Sequence, residues 1–177
     1  MEKKYFTGCA SLKKVVVPCD LADVEGGVFA GCGVNDVTLS KSAYENFDKL
    51  FPNNFAKDIK HLALLDGVEQ ITQIGFGKCT SLKTLIIPSS ATSIDSLAFQ
   101  NCSNLKQVYL LTTDASNLTI GANAFGYMVE DSAIDIYEEI SGLTDKLSGK
   151  YNTNNTRIIE LDQDEMDFAI TLRVTIQ

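Results

Sequence analysis

The feature that most constrains this chain is a fixed interval between near-copies of one segment. FTGCASLKKVVVP begins at Phe6, FGKCTSLKTLIIP at Phe76 and FQNCSNLKQVYLL at Phe99. The steps Phe76 to Phe99, Cys79 to Cys102, Leu82 to Leu105 and Leu85 to Val108 are all 23, as are Phe6 to Phe29 and Cys9 to Cys32. A period in the range of ~20 to 50 residues is the signature of a repeat architecture, in which each unit is one small turn of chain.

The same ruler phases the less regular stretches. Ile59, Leu62 and Leu64 precede Leu82, Leu85 and Ile87 by 23 residues each. Val37 and Leu39 fall into the same slots after one deletion, and Ile134 and Ile136 follow Val108 and Leu110 after a three-residue expansion. Between Lys41 and Lys57 the pattern is degenerate, with Phe47, Phe51 and Phe55 competing for one aromatic slot. Within a unit, L-x-x-V-x-I-P alternates apolar and variable positions, the period of a strand with one buried face. Strands are expected near Val15, Val37, Leu62, Leu85, Val108 and Ile134, side by side in one parallel sheet, each paired with its sequence neighbours. The second limb of each turn supplies further inward residues: Ile71, Ile74 and Phe76; Ile94, Ala98 and Phe99; Leu118, Ile120, Ala124 and Phe125. A turn that is apolar on both limbs cannot bury itself, so stacking must complete the core.

These residues resemble the BspA-like leucine-rich repeat family, whose unit reads roughly F-x-x-C-x-x-L-x-x-V-x-I-P-x-x-V-x-x-I. The likeness covers residues 6–137 and fixes a Phe, a Cys, a Leu and a Pro at set offsets. It implies a right-handed leucine-rich-repeat superhelix, mainly β with short helical segments and a parallel sheet on one face. It also implies a secreted or cell-surface setting, frequent for such proteins of gut and oral bacteria, and an adhesion or binding role.

Two parts of the chain are distinguished: residues 1–137 as a solenoid of about six turns of 23 residues plus a partial N-terminal turn, and 138–177 as its C-terminal cap. From Ile140, the apolar residues Leu143, Leu147 and Tyr151 recur at helical spacing. RIIEL reads as a strand and DQDEMD as an acidic turn. FAITLRVTIQ then reads as a second strand, with Phe168, Ile170, Leu172, Val174 and Ile176 on one face. Together they predict a capping helix and a β-hairpin; a linker to a further domain is the alternative. The N-terminal edge shows no such device: the chain starts in mid-repeat at KKYFTGC, which suggests truncation or a partner, such as a second copy, over that edge.

Charge narrows the partners. Residues 1–129 carry 11 basic and 12 acidic side chains, a net −1, whereas residues 130–177 carry 4 and 11, a net −7. Basic residues are scattered rather than gathered into a stripe that would displace counterions from phosphates, so nucleic acid is not expected as a partner. No apolar run reaches the length of a signal peptide core or a membrane span, so neither export signal nor membrane insertion is expected from these residues.

Candidate chemistry is sparse. Cys9, Cys32, Cys79 and Cys102 each lie three residues after the repeat Phe and are expected as a ladder of buried free thiols; a disulfide or a metal site is the alternative. Cys19 lies outside that ladder and is the candidate for an exposed thiol. The sole histidine, His61, sits in a strand with no nucleophile or orienting carboxylate recognisable beside it, so no enzyme is expected. Asp162, Asp164, Glu165 and Asp167 lack the Gly and the spaced distal Glu of a calcium loop and read as a solvated turn. Asn101, Asn117 and Asn154 begin formal glycosylation sequons. No cofactor is implied.

Strand alternation then places a site. If the residues on either side point inward, Val16, Thr38, Ala63, Ile86, Tyr109 and Asp135 form one outward row. His61, Thr84 and Gln107 flank it on one side, and Leu65, Pro88, Leu111 and Tyr137 on the other. His61, Leu65, Ile86, Tyr109, Leu111 and Tyr137 are the candidate binding residues, as an exposed apolar and aromatic cluster; the alternative is that the C-terminal helix or hairpin folds over them. The expected function is a non-catalytic module that binds a protein or glycan on this face. A structural spacer within a larger surface protein is the alternative.

Overall fold

A computed structural model describes residues 6–18, 21, 24–52, 55–72, 76–126, 128–137, 140–151 and 156–175. The expectations for Cys19, Ile74, Asn154 and Ile176 lie outside the described residues. Among the described residues, ten strands form two parallel sheets. One limb of the turns carries β1 (Lys14–Val17), β2 (Asp36–Leu39), β3 (His61–Leu64), β5 (Thr84–Ile87), β7 (Gln107–Leu110), β9 (Ala133–Tyr137) and β10 (Arg157–Leu161), in that spatial order. The other limb carries the two-residue strands β4 (Gln70–Ile71), β6 (Ser93–Ile94) and β8 (Thr119–Ile120). The helices are α1 (Lys41–Glu45), α2 (Phe47–Leu50), α3 (Leu143–Leu147) and α4 (Gln163–Thr175).

The register follows the repeat. Val15 pairs with Val37, Val37 with Leu62, Leu62 with Leu85, Leu85 with Val108, and Val108 with Ile134. Every strand expected from the repeat is therefore present, next to its sequence neighbour. β10 adds a seventh strand, parallel to β9, with Ile158 opposite Ile134.

The spacing F-x-x-C-x-x-L has a plain cause. The Cys79 amide donates to the Phe76 carbonyl at 2.9 Å and the Leu82 amide to that of Cys79 at 3.0 Å; Cys102 and Leu105 repeat this at 3.1 and 2.9 Å. Each step of three residues is one tight turn with an i to i+3 bond, which brings Phe, Cys and Leu to the same inward side. The phenylalanines then stack turn upon turn. Phe6–Phe29, Phe76–Phe99 and Phe99–Phe125 lie 5.6, 5.1 and 6.1 Å apart with nearly parallel rings. In the degenerate stretch both Phe47 and Phe51 are buried: Phe29 meets Phe51 at 5.3 Å, Phe51 meets Phe47 at 5.3 Å, and Phe47 meets Phe76 at 5.0 Å. Two rings bridge the wider gap that α1 and α2 create, while Phe55 is only half-buried.

The thiols join the turns. The Cys32 Sγ donates to the Phe6 carbonyl at 2.7 Å and the Cys102 Sγ to the Phe76 carbonyl at 3.3 Å, each 26 residues back. Cys32, Cys79 and Cys102 are free and buried, as the repeat slot requires, but Cys9 is exposed. The difference is positional: among the described residues no turn packs beyond the first to cover it. Burial pushes the Cys102 thiol up from 9.0 to about 12 and holds Cys79 well above its ordinary value.

At the C-terminal end Leu143 and Leu147 of α3 enter the core. The Lys146 ammonium donates to the carbonyls of Ser116 at 3.1 Å and Leu118 at 2.8 Å, and also to that of Ala115. Three donors meet three carbonyls that end a turn. The hairpin expected after RIIEL is corrected here, because residues Gln163–Thr175 are helical. The Glu165 amide donates to Asp162 Oδ1 at 2.8 Å and the Asp162 amide to Glu165 Oε2 at 3.3 Å, a reciprocal capping pair that starts a helix.

Three outcomes follow. Phe99→Ala should lower stability by ~3 to 5 kcal/mol in denaturant titrations, since a ring stacked on both sides is removed. Gly121→Ala should cost more than ~1 kcal/mol by overpacking, because its Cβ would lie 2.1 Å from the Ser96 amide nitrogen, and backbone cannot rotate away. Among the described thiols, a labelling reagent in native buffer should modify Cys9 first and reach Cys79 and Cys102 only with denaturant. Their raised pKa values leave stability unaffected below pH 9.0 and should erode it as the pH climbs above that, for Cys102 toward about 12, because the unfolded chain releases these protons first.

Candidate functional site on the outer sheet face

The outward row is real. Val16 lies opposite Thr38, Thr38 opposite Ala63, Ala63 opposite Ile86, Ile86 opposite Tyr109, and Tyr109 opposite Asp135. His61, Thr84 and Gln107 are aligned in the row beside it. What differs is exposure. Ile86 is buried and Tyr109 is 0% exposed, while Leu111 and Tyr137 are half-buried against them. The expectation of an open aromatic patch is therefore corrected at Ile86 and Tyr109: α4 lies on the face and covers them, the alternative noted for the C-terminal segment.

The covering helix uses Met166, Ala169 and Ile170, at spacings of three and four, on the side that meets the sheet. Met166 is fully buried, and the Gln163 Nε2 donates to the Tyr137 hydroxyl at 3.2 Å. The opposite side of α4 carries Phe168 and Leu172, 68% and 41% exposed. Apolar residues on both sides gave the segment a strand-like alternation at Phe168, Ile170 and Leu172, while the pairing of Asp162 with Glu165 was the signal for a helix. Beneath α4 the Asp135 carboxylate is buried and accepts a hydrogen bond from the Gln107 Nε2.

The cluster under α4 reaches Ala63 of β3 and includes neither Val16 of β1 nor Thr38 of β2. Across β1 to β3 the outer face shows Val16, 51% exposed, and a shallow depression lined by Lys14, Asp36, Thr38, His61 and Thr84. His61 Nε2 lies 3.9 Å from Asp36 Oδ1, too far for a hydrogen bond. Asp36 Oδ1 and His61 Nδ1 are both shielded from bulk water and have no hydrogen-bond partner. Burial lowers the His61 pKa; Asp36 opposes that shift, and Lys83 and Lys60 add to it. A neutral imidazole at pH 7 is the consequence. Leu65 is half-buried near this region and is not part of the cluster under α4. The six candidates thus divide: Ile86, Tyr109, Leu111 and Tyr137 are brought together under the helix, and His61 belongs to the open half.

Among the described residues, no three His, Cys, Asp or Glu side chains are grouped to hold a metal ion. Asp162 and Glu165 are engaged in capping α4, and Asp167 accepts from the Gln163 Nε2 at 2.8 Å. No helix among the described residues is long and apolar enough to cross a membrane.

Turns of similar residues stacked through one parallel sheet, with a variable outer row, define a leucine-rich repeat protein. The model of the BspA-type leucine-rich repeat region matches residues 1–130 in six copies, so the chain belongs to that family. Comparison with curated proteins and with solved structures gives no match. The family is one of surface repeat proteins with interaction roles and is in general non-enzymatic.

The packing of α4 yields a test. Tyr109→Ala should cost ~3 kcal/mol or more and Met166→Ala ~2 kcal/mol, both by emptying buried volume. Because the two side chains share one cluster, the double variant should fall short of the sum by ~1 kcal/mol; strict additivity in urea melts would place Met166 elsewhere.

Proposed function

We propose that the chain is a non-catalytic binding module displayed at a cell surface, and that it takes a protein or glycan partner on the open half of the outer sheet face. The observation that carries this is the pair of unpartnered polar atoms, Asp36 Oδ1 and His61 Nδ1, beside exposed Val16. A shielded polar atom without a hydrogen bond costs ~1 to 3 kcal/mol. A partner that supplies the missing bonds recovers this. The depression holds only about 10 Å³, enough for about one water. Recognition there is shallow, suited to a hydroxyl or an amide group reaching down from a larger partner.

The chemistry of the two atoms defines the complement. Asp36 accepts when ionised, and a neutral His61 with its Nε2–H toward Asp36 accepts at Nδ1. A ligand presenting two donors fits, with an apolar edge for Val16. Lys14 adds a cation at one margin.

The test is a screen of the purified chain against a glycan array and a panel of surface proteins, followed by Asp36→Ala and His61→Ala. Each variant should weaken a genuine ligand about tenfold and melt at or above the temperature of the parent, since an uncompensated polar atom is removed. A ligand whose affinity neither change moves would place the site elsewhere. An empty screen would favour the spacer role.

A further inference from the structure

At the other edge of the same sheet, no described residue closes the core. Around β1 lies an apolar groove of about 670 Å³, lined by Phe6, Leu12, Leu21, Val24 and Val28. Phe6 stacks on Phe29 with one side of its ring and is 46% exposed. Among the described residues no strand pairs with β1 on the side away from β2.

The backbone of β1 shows what that edge offers. The Lys13 carbonyl accepts from the Asp36 amide at 3.0 Å and the Val17 carbonyl from the Ser40 amide at 2.9 Å. Odd-numbered residues thus turn their peptide groups toward β2. By alternation, the N–H and C=O of Val16 point to the free edge. Such an edge is a template for another strand.

We propose that β1 pairs antiparallel with β1 of a second copy, about a two-fold axis through Val16 perpendicular to the sheet. In that register the Val16 residues of the two copies exchange both N–H···O bonds. Val15 faces Val17 of the other copy, and Lys14 faces Pro18 rather than its own equivalent. An axis perpendicular to the sheet keeps inward residues inward, so the two grooves close on each other as one core and two seven-stranded sheets become continuous. The opposite end of the stack has the wrong chemistry to seat in the groove. There the edge strand β10 exposes Arg157 and Glu160, and Leu143 and Leu147 already fill the core. Head-to-head contact is the arrangement that matches apolar to apolar. It leaves the face of β1 to β3 open and sets two such faces side by side.

Sedimentation velocity on the full chain from about 5 to about 200 μM should show conversion to a species of twice 19.3 kDa. Hydrogen exchange at high concentration should protect the Val16 amide relative to the dilute sample. Val16→Pro removes both symmetric bonds while sparing the bonds to β2 and should weaken the dimer by about 30-fold or more. Phe6→Asp, which places a carboxylate in the groove without altering the strand, should also yield monomer, and both variants should keep the parent far-UV circular dichroism. A monomer at every concentration, a dimer that survives both substitutions, or an open ladder of larger species would overturn the proposal. Should both variants fail to fold, an unprotected Val16 amide in the concentrated parent would overturn it, and concentration-dependent protection there would support it.

Discussion

Everything in this molecule depends on one turn meeting the next. A single turn of 23 residues has apolar side chains on both limbs and too few contacts of its own to bury them. Stacking supplies the missing surface through several parallel ladders: backbone bonds in the two sheets, rings from Phe6 to Phe125, and thiol-to-carbonyl bonds from Cys32 and Cys102. Stacked aromatic pairs contribute ~0.5 to 1.5 kcal/mol each beyond the area they bury. The stretch that holds α1 and α2 shows how strongly the ladder is required, because two phenylalanines occupy the place of one and the ring contacts continue unbroken. Stability in such a stack is close to a sum of neighbour terms, so its ends are where it is weakest.

The same constraint explains why the outer face of the sheet is divided. Inward positions are fixed by stacking, whereas outward positions answer only to what lies above them. Over β5, β7 and β9 that is α4, and there the outer row turns apolar and aromatic, with Ile86 and Tyr109 meeting Met166. Over β1 and β2 the row holds Val16 and Thr38, outside that cluster, with Ala63 of β3 at its margin, beside a polar row of Lys14, Asp36 and His61. Burying Asp135 beneath α4 is tolerable because the Gln107 amide donates to it; Asp36 Oδ1 and His61 Nδ1 are shielded without that compensation.

Much of this was legible in the sequence because period and register coincide in a repeat. A step of 23 between Leu62, Leu85 and Val108 is also the pairing of three adjacent strands, and alternation then assigns every side chain to a face. What the pattern could not carry was anything outside the repeat. The segment Phe168 to Leu172 alternates like a strand because α4 is apolar on two sides, and only the capping pair of Asp162 with Glu165 marks the helix. The burial of Tyr109 depends on that helix, so it could not follow from the strand alone. Cys9 shares its slot with three buried thiols and is exposed because burial is a property of the neighbouring turn, not of the slot.

The contrast between the two rows of each strand bears on where recognition resides. Val15, Val37, Leu62, Leu85, Val108, Ile134 and Ile158 are interchangeable in kind, since each faces the same aliphatic neighbours. Their outward counterparts, Val16, Thr38, Ala63, Ile86, Tyr109, Asp135 and Ile159, share no common chemistry. Stacking alone would be indifferent to the outward residue, because a strand pairs through its backbone whatever side chain points away from the core. The irregularity therefore records other demands. For Ile86, Tyr109 and Asp135 the demand is visible as α4, which selects side chains able to pack under a helix. For Val16, Thr38 and the neighbouring Asp36 and His61 no element of the described fold makes such a demand, and two of their polar atoms are left without partners. Side chains that neither the core nor α4 requires, held rigidly on a sheet, are the reason the proposed recognition is assigned to this half of the face.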